Sequence, residues 1–515
     1  MTTIIAFLIF LLASPAWAVQ GDAGEDLDAQ HHEERYGIAN VLDYGAACDL
    51  QANNGTASVT DDATAINAAI LAVFNSVTIS SLYFPRPCYT TGQITWKRTV
   101  NLIGPDTSGD SGILNQAVGG GIFCAEGMDD DCVVSDGNGF HWARAENFTI
   151  TKARFCTENT DRPCYTNASG CTCNGATTDT VGSGLVFNTY LGEGFKIDNI
   201  WVERFPEYGI EVNQGTTGTA SLEGLSLWGN GQAAPVARTA AAGATTTTIV
   251  ATVATYTIDK YIDWYVRVLT GTGAGQTRLI TDNDTDTLTV TPTWTTTPAA
   301  ADTFEIDNGG GILLKTGAID LDGCHIDTIS GDGNAPALIV VAEGSGGEHT
   351  GGGPACVITN VKSEVTGTSY PQENGLRLIN SGIHILLQGL VHSDVSPFGF
   401  PAIYFEGKNA PRELTYSGVG IAQNARSDYV TLSTMGVDAA AALQIEIGGS
   451  ATGAWSHEGS IPNNIIVHPR TTPPFTCGST HWRANKYYDT DLEYECICNG
   501  SAWKPVSDPA GTTCT

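Results

Sequence analysis

Ile197-Asp198-Asn199-Ile200-Trp201-Val202 reads as an apolar residue, any residue, Asn or Gly, and then apolar–any–apolar. The phrase returns as LEGLSL at 222–227, LDGCHI at 321–326 and ITNVKS at 358–363, and more loosely as LQGLVH at 387–392 and YSGVGI at 416–421. A strand alternates with a period of two, so the step of three from Ile197 to Ile200 carries one extra residue. That residue turns a corner, and Asn or Gly tolerates the left-handed backbone a corner needs. Beyond it, Ile200 and Val202 are expected to point inward, and Trp201 and Glu203 outward. Each phrase follows a second short apolar run, as in Gly184-Leu185-Val186-Phe187 and Gly209-Ile210-Glu211-Val212. Gly184 to Gly209 is 25 positions and Gly311 to Ala337 is 26. A crossover unit containing a helix takes roughly 30 residues or more. The shorter spacing fits one coil of short strands, and stacked coils make a parallel β-solenoid.

The repeat divides the chain. Residues 37–231 and 309–435 carry it, and 232–308 interrupt it with a Thr-rich stretch that reads as an inserted β module. Within the insert, Gly271-Thr272-Gly273-Ala274-Gly275-Gln276 lacks the Lys-Ser/Thr ending of a phosphate-binding loop and precedes a strand pattern. Residues 436–475 read as a transition and linker. Residues 476–515 read as a small Cys-rich module that disulfides must staple, since so short a segment buries little core.

At the N-terminus, the apolar run 4–12 and Ala16-Trp17-Ala18 read as a signal peptide, residues 1–18. The run is too short for the roughly 20 residues of a membrane span, so secretion without membrane insertion is expected. Residues 19–36 are acidic and polar and read as disordered. The chain has 24 basic and 55 acidic residues, a net charge of −31, which disfavours nucleic acid and anionic membranes as partners. Its 14 cysteines in an exported chain read as disulfides. Cys324 and Cys356 are exceptions: they fall on inward positions of the repeat and read as buried free thiols. Zinc binding by the group Cys156, Cys164, Cys171 and Cys173 lacks paired C-x-x-C spacing.

Four phrases near the start, VLDYGA at 41–46, TDDATAINAAI at 60–70, LYFPRPCY at 82–89 and NLIG at 101–104, resemble the N-terminal cap of pectate-lyase-like right-handed parallel β-helix proteins, a superfamily that includes tailspike-like members. The resemblance implies an all-β, right-handed parallel β-helix closed by a capping helix. The helix is expected to start at a Thr60 or Asp61 cap and to bury Ile66, Ala69, Ile70 and Val73. It further implies a protein that acts on or binds extracellular polysaccharide. The chain lacks the Gly-His-Gly of the family's best-known hydrolases, which disfavours polygalacturonase activity.

Aligning the phrases puts outward residues into columns. One reads Trp201, Ser226, His325, Lys362, and the next reads Glu203, Trp228, Asp327, Glu364. Parallel strands lie roughly 4.8 Å apart, so Asp327, His325, Lys362 and Glu364 are expected to share one exposed patch. A retaining glycosidase holds two carboxyls about 5 Å apart, which would suit Asp327 with Glu364. A lyase needs a base such as Lys362 or His325. Trp201, Glu203 and Trp228 are the candidate sugar-binding residues. No cofactor is required, and Ca²⁺ is considered at Asp129-Asp130-Asp131 and as a bridge to an acidic substrate. The expected partner is a polysaccharide or cell-surface glycan, cleaved by hydrolysis or elimination. The alternative is a non-catalytic adhesin, surface spike or phage-tail-like fibre, for which a homotrimer is considered.

Overall fold

A computed structural model describes the chain from residue 37 onward with interruptions, the longest at 106–119, 343–355 and 471–485. Side-chain surroundings are described as far as residue 390. The export segment and the acidic stretch lie outside the described residues.

Two long parallel sheets run along the stack of coils. The first passes through Ile38–Asn40, Ser81–Tyr83 and Asn101–Ile103 to β1 (Arg144–Lys152), β2 (Lys196–Glu203), β3 (Ser221–Trp228), β4 (Cys324–Asp332), β5 (Cys356–Val365) and β6 (Ile385–Asp394). The second passes through Ile94–Lys97, Val133–Asp136, Leu185–Phe187, Tyr208–Val212, Gly310–Lys315, Ala337–Ala342 and Asn374–Ile379. The chain alternates between the two sheets coil by coil, which makes it a right-handed parallel β-helix. Strands continue to Gln444–Gly448 and Ala454–Gly459, past the expected end of the repeat at 435.

The corner residues carry the left-handed backbone that the phrase demands. Asn147, Asn199, Gly224, Thr328, Asn360 and Gly389 have φ of 53°, 51°, 61°, 55°, 53° and 71°. Around them Ile197, Ile200, Val202, Leu222, Leu225 and Leu227 are buried to 3% exposure or less. The Asn199 amide donates to Asn147 Oδ1 at 2.6 Å, so one corner braces the next.

One coil departs from the expected register. The corner of β4 is Thr328, not Gly323, and the working phrase is Ile326-Asp327-Thr328-Ile329-Ser330-Gly331. His325 therefore pairs with Ser221 and Asp327 with Glu223, five positions from the expected alignment. The same shift sets Cys324 opposite Cys356, with Cα atoms 4.5 Å apart, and the two form a disulfide instead of free thiols. Cys48–Cys88, Cys124–Cys132 and Cys156–Cys171 are also bonded, and the last removes two ligands from the zinc reading. The Cys324–Cys356 bond spans 32 residues of sequence. Replacing both by Ser is expected to lower stability by about 2–4 kcal/mol, read as a drop in denaturation midpoint. An unchanged midpoint would contradict this.

The capping helix α1 (Ala63–Asn75) buries Ile66, Ala69, Ile70 and Val73, as its periodicity requires. The N-cap position is Asp62, not the expected Thr60 or Asp61, and its side chain makes no cap bond; Asp61 Oδ1 accepts from the Ala63 and Thr91 amides at 3.1 and 3.0 Å. Thr60 donates instead to Asp49. Buried Asp62 accepts from the Ala47 and Cys48 amides, tying the first loop to the helix start.

The insert is a six-stranded antiparallel sheet with its own core of Ile249, Val266, Ile280, Leu288, Phe304 and Ile306. Its first and last strands, Val236–Thr239 and Thr303–Asp307, pair with each other, so it leaves and rejoins the solenoid at one place. Tyr265 and Leu279 pack on Tyr208, Leu313 and Val340, which seats the insert against the outer face of the second sheet. A strand, Thr277–Asn283, follows the Gly-rich stretch, as expected. Four short strands lie between Pro469 and Pro505. The cysteine pairing of that module lies outside the described residues.

Candidate functional site

Outward side chains of β1–β5 form two groups, one on each side of the corner. The expected four-residue patch is divided between them. His325 and Asp327 precede the corner, whereas Lys362 and Glu364 follow it on the next coil, opposite Ser330 and Asp332. Glu364 accepts from Lys362 Nζ at 2.7 Å. Asp327 lies opposite Thr359, so Asp327 and Glu364 are not cross-strand partners and do not form the expected dyad.

Past the corner, the expected sugar-binding residues do meet. Trp201 pairs with Ser226, and Glu203 with Trp228. The indole rings of Trp201 and Trp228 stack with centroids 5.5 Å apart and planes 4° from parallel. Trp201 Nε1–H donates to Glu203 Oε2 at 2.8 Å, and Arg154 donates to Glu203 Oε1 at 3.0 Å. Glu203, 3% exposed, thus orients the indole and is itself closed off. Leu50, Val59 and Tyr89 pack with Phe123 and Ala153 beside Trp201, forming an apolar wall. Both indoles remain partly exposed, and the Lys362–Glu364 pair lies two coils beyond Trp228. Flat apolar rings bordered by charged and hydroxyl groups suit the mixed faces of a sugar.

Before the corner, Glu146, Asp198, Glu223 and Asp327 occupy one register position on successive coils. The flanking position holds Arg144, Lys196, Ser221 and His325. Four carboxylates roughly 4.8 Å apart would repel one another without compensation. Lys196 Nζ donates to Asp198 at 2.9 Å and Glu223 at 3.1 Å, and these bonds raise its pKa. The Ser221 hydroxyl, helped by Lys196, holds Glu223 below its ordinary value. The Thr359 hydroxyl, with Asn360 and Thr328, does the same for Asp327. His325 Nδ1 stands 3.6 Å from Glu223 Oε1. Two ionised carboxylates and an imidazole therefore share this exposed face.

A third group was not legible in the sequence. Asp131, Glu207 and Glu211 bring carboxylate oxygens within 4.8 Å of one another beside the second sheet. Only Asp131 belongs to the acidic run considered for Ca²⁺, and Asp129 lies outside the described residues. Burial raises the pKa of Glu211, and the charge of Asp131 adds to it, against hydrogen bonds from Asn213 and Ser183 and the charge of Lys315. Burial also raises Asp131, with Asp130 adding and Ser183 and Lys152 opposing. A carboxyl whose pKa is raised on folding contributes stability below its unfolded value, which is lost as pH rises through the folded one. Glu211→Gln is therefore expected to melt higher than the wild type at pH 7, with the gain shrinking toward pH 4. A lower melting point at pH 7 would contradict this.

No protein-family model matches the chain, and neither does any curated protein sequence. Among solved structures, ORF18 of Geobacillus virus E2 is similar, with 11% identity and a TM-score of 0.45. The match covers 86% of this chain, which spans 66% of the length of that protein. The A-module of the mannuronan C-5 epimerase AlgE4 of Azotobacter vinelandii matches with 10% identity, a TM-score of 0.32, and coverage of 82% and 96% of the two chains. The phiAB6 tailspike, solved with oligosaccharides of an Acinetobacter baumannii surface polysaccharide, matches with 10% identity, a TM-score of 0.35, and coverage of 92% and 57%.

Proposed function

We propose that the protein is exported and binds an extended polysaccharide or cell-surface glycan along the outer face of the β1–β6 sheet, with Trp201 and Trp228 as the stacking platform. The observation that carries this reading is the parallel indole pair, with Trp201 fixed by Glu203 and Arg154 and both rings partly exposed. Repeating coils offer equivalent positions at a regular spacing, which suits a polymer of repeating units. The net charge of −31 favours a neutral glycan over a polyanion. The four disulfides among the described residues fit folding in an oxidising compartment. Affinity electrophoresis through gels containing neutral or acidic polysaccharides tests the reading. Retardation by at least one neutral glycan is expected, and free migration through all of them would contradict it.

Cleavage is a second reading, favoured by His325 standing beside Glu223 and Asp327. Hydrogen bonds keep both carboxylates ionised at neutral pH, so the proton donor to a leaving oxygen would be His325. Asp327 would accept the proton of the attacking water as the glycosidic C–O bond breaks. Asp327→Asn is expected to slow the release of reducing ends by about 100-fold or more while leaving binding intact. Undiminished release from the variant would remove Asp327 from the chemistry. If the wild type releases none, the protein is a binder alone, as in an adhesin or spike.

A further inference from the structure

The corner phrase that defines the fold occurs once more, with the wrong residue at its corner. Phe140-His141-Trp142-Ala143-Arg144-Ala145 has the same step of three, with Phe140, Ala143 and Ala145 buried to 1% exposure or less. Trp142 stands where other corners carry Asn, Gly or Thr, and its φ is +60°. A bulky side chain is rare and disfavoured in that region. The neighbouring coil turns beside it at Gly194, φ +72°, and the Trp142 amide donates to the Glu193 carbonyl at 3.1 Å. The left-handed corner swings the indole outward and leaves Trp142 64% exposed.

The surroundings of the ring are built for it. A Cβ on Gly194 would come within 2.2 Å of the indole, so only glycine lets the ring lie against that backbone. A Cβ on Gly192 would come within 2.0 Å of the His141 ring, and one on Gly139 within 2.6 Å of the Tyr190 hydroxyl. His141 Nε2 lies 3.3 Å from Tyr190 Oη, with the two rings edge to face. An open indole face thus stands beside an imidazole–phenol pair and the exposed Glu193.

We infer that Trp142 is a second sugar-binding platform, in which a neutral pyranose of the glycan stacks on the exposed indole and hydrogen-bonds to the His141–Tyr190 pair or Glu193. The ligand class follows from size and chemistry. One Trp side chain offers about 150–250 Å², far below the roughly 800 Å² per partner of a stable protein interface. A flat apolar face with polar groups at its edge matches a sugar ring. The inference rests on the proposed glycan-binding reading and extends it, because Trp142 stands in the turn that enters β1, the strand next to the one that carries Trp201. Residues 142 and 149 are seven positions apart, and Thr149 is the β1 partner of Trp201, so the two platforms are roughly 20 Å apart along the coil. Only a chain of several sugars reaches both.

The test is calorimetric titration of the wild type, Trp142→Gly and the double variant Trp201→Ala/Trp228→Ala with neutral oligosaccharides of increasing length, alongside thermal melting of each protein. Trp142→Gly is expected to bind short oligosaccharides as the wild type does and to lose tenfold or more of the extra affinity for long ones. Its melting point should be equal or higher, since glycine suits the corner. Wild-type affinity for long chains in Trp142→Gly would overturn the inference alone. So would a marked fall in its melting point with affinity lost at every length, which means a structural role. Absence of binding by the wild type at all lengths would overturn both this inference and the reading it rests on.

Discussion

Trp96→Ala is expected to lower stability by about 3–5 kcal/mol. Trp96 is fully buried at the centre of the early coils, with Phe140, Phe187 and Phe195 at ring-centroid distances of 5.1, 5.8 and 6.2 Å. The three phenylalanines also meet each other edge to face, at 5.6, 6.1 and 5.1 Å, so none can move into the gap without breaking another contact. The cavity left behind therefore stays open, and its cost adds to the lost transfer free energy. Trp96 Nε1–H also donates to the Val100 carbonyl at 2.7 Å inside the core, and that acceptor would be orphaned. Denaturant titration of the variant measures the loss directly. A change below about 1 kcal/mol would mean that the coils are not packed on this cluster.

The second large effect concerns binding. Trp201→Ala removes the ring that Glu203 and Arg154 hold in place, and it also strips Trp228 of its stacking partner. The two losses are coupled, so the double variant should cost little more than either single one. A loss of affinity for a neutral glycan of at least tenfold, about 1.4 kcal/mol, is expected for each. Glu203→Gln should have a smaller effect of the same sign, because an amide oxygen can still accept from the indole while the pairing with Arg154 weakens. Additive losses from the two tryptophans would show that they act as separate subsites.

The scaffold was readable because its signal is local. Each coil announces itself through an apolar step of three, and Ile197, Ile200 and Val202 are inward for the reason their spacing gives. The helix Ala63–Asn75 was equally plain, since its buried positions follow a helical period. The coil at β4 misled for a physical reason. Gly323 is the residue that left-handed backbone favours, and Thr328 is β-branched and seldom adopts it. Both have positive φ, 67° and 55°, but only Thr328 sits in the ladder of corners. One misplaced corner hid two features at once. It moved Cys324 away from Cys356, and it aligned His325 with Lys362 instead of Ser221.

Sites were harder to read because they join positions the repeat does not mark. Glu223 stands between Lys196, His325 and Asp327 only once the register is right. Asp131 comes from one coil and Glu207 and Glu211 from another, and the three share no motif. Trp142 obeys the corner phrase with a residue that corners disfavour, so a search for Asn or Gly passes over it.

The central claim is that the tryptophan face of the β1–β6 sheet holds a glycan. Intrinsic fluorescence titration of the wild type and of Trp201→Ala/Trp228→Ala with the neutral polysaccharide that retards the wild type most tests it directly. The account predicts a saturable change in the wild type and at least a tenfold weaker response in the variant, with melting temperatures within a few degrees of each other. Equal affinity in a folded variant would contradict it.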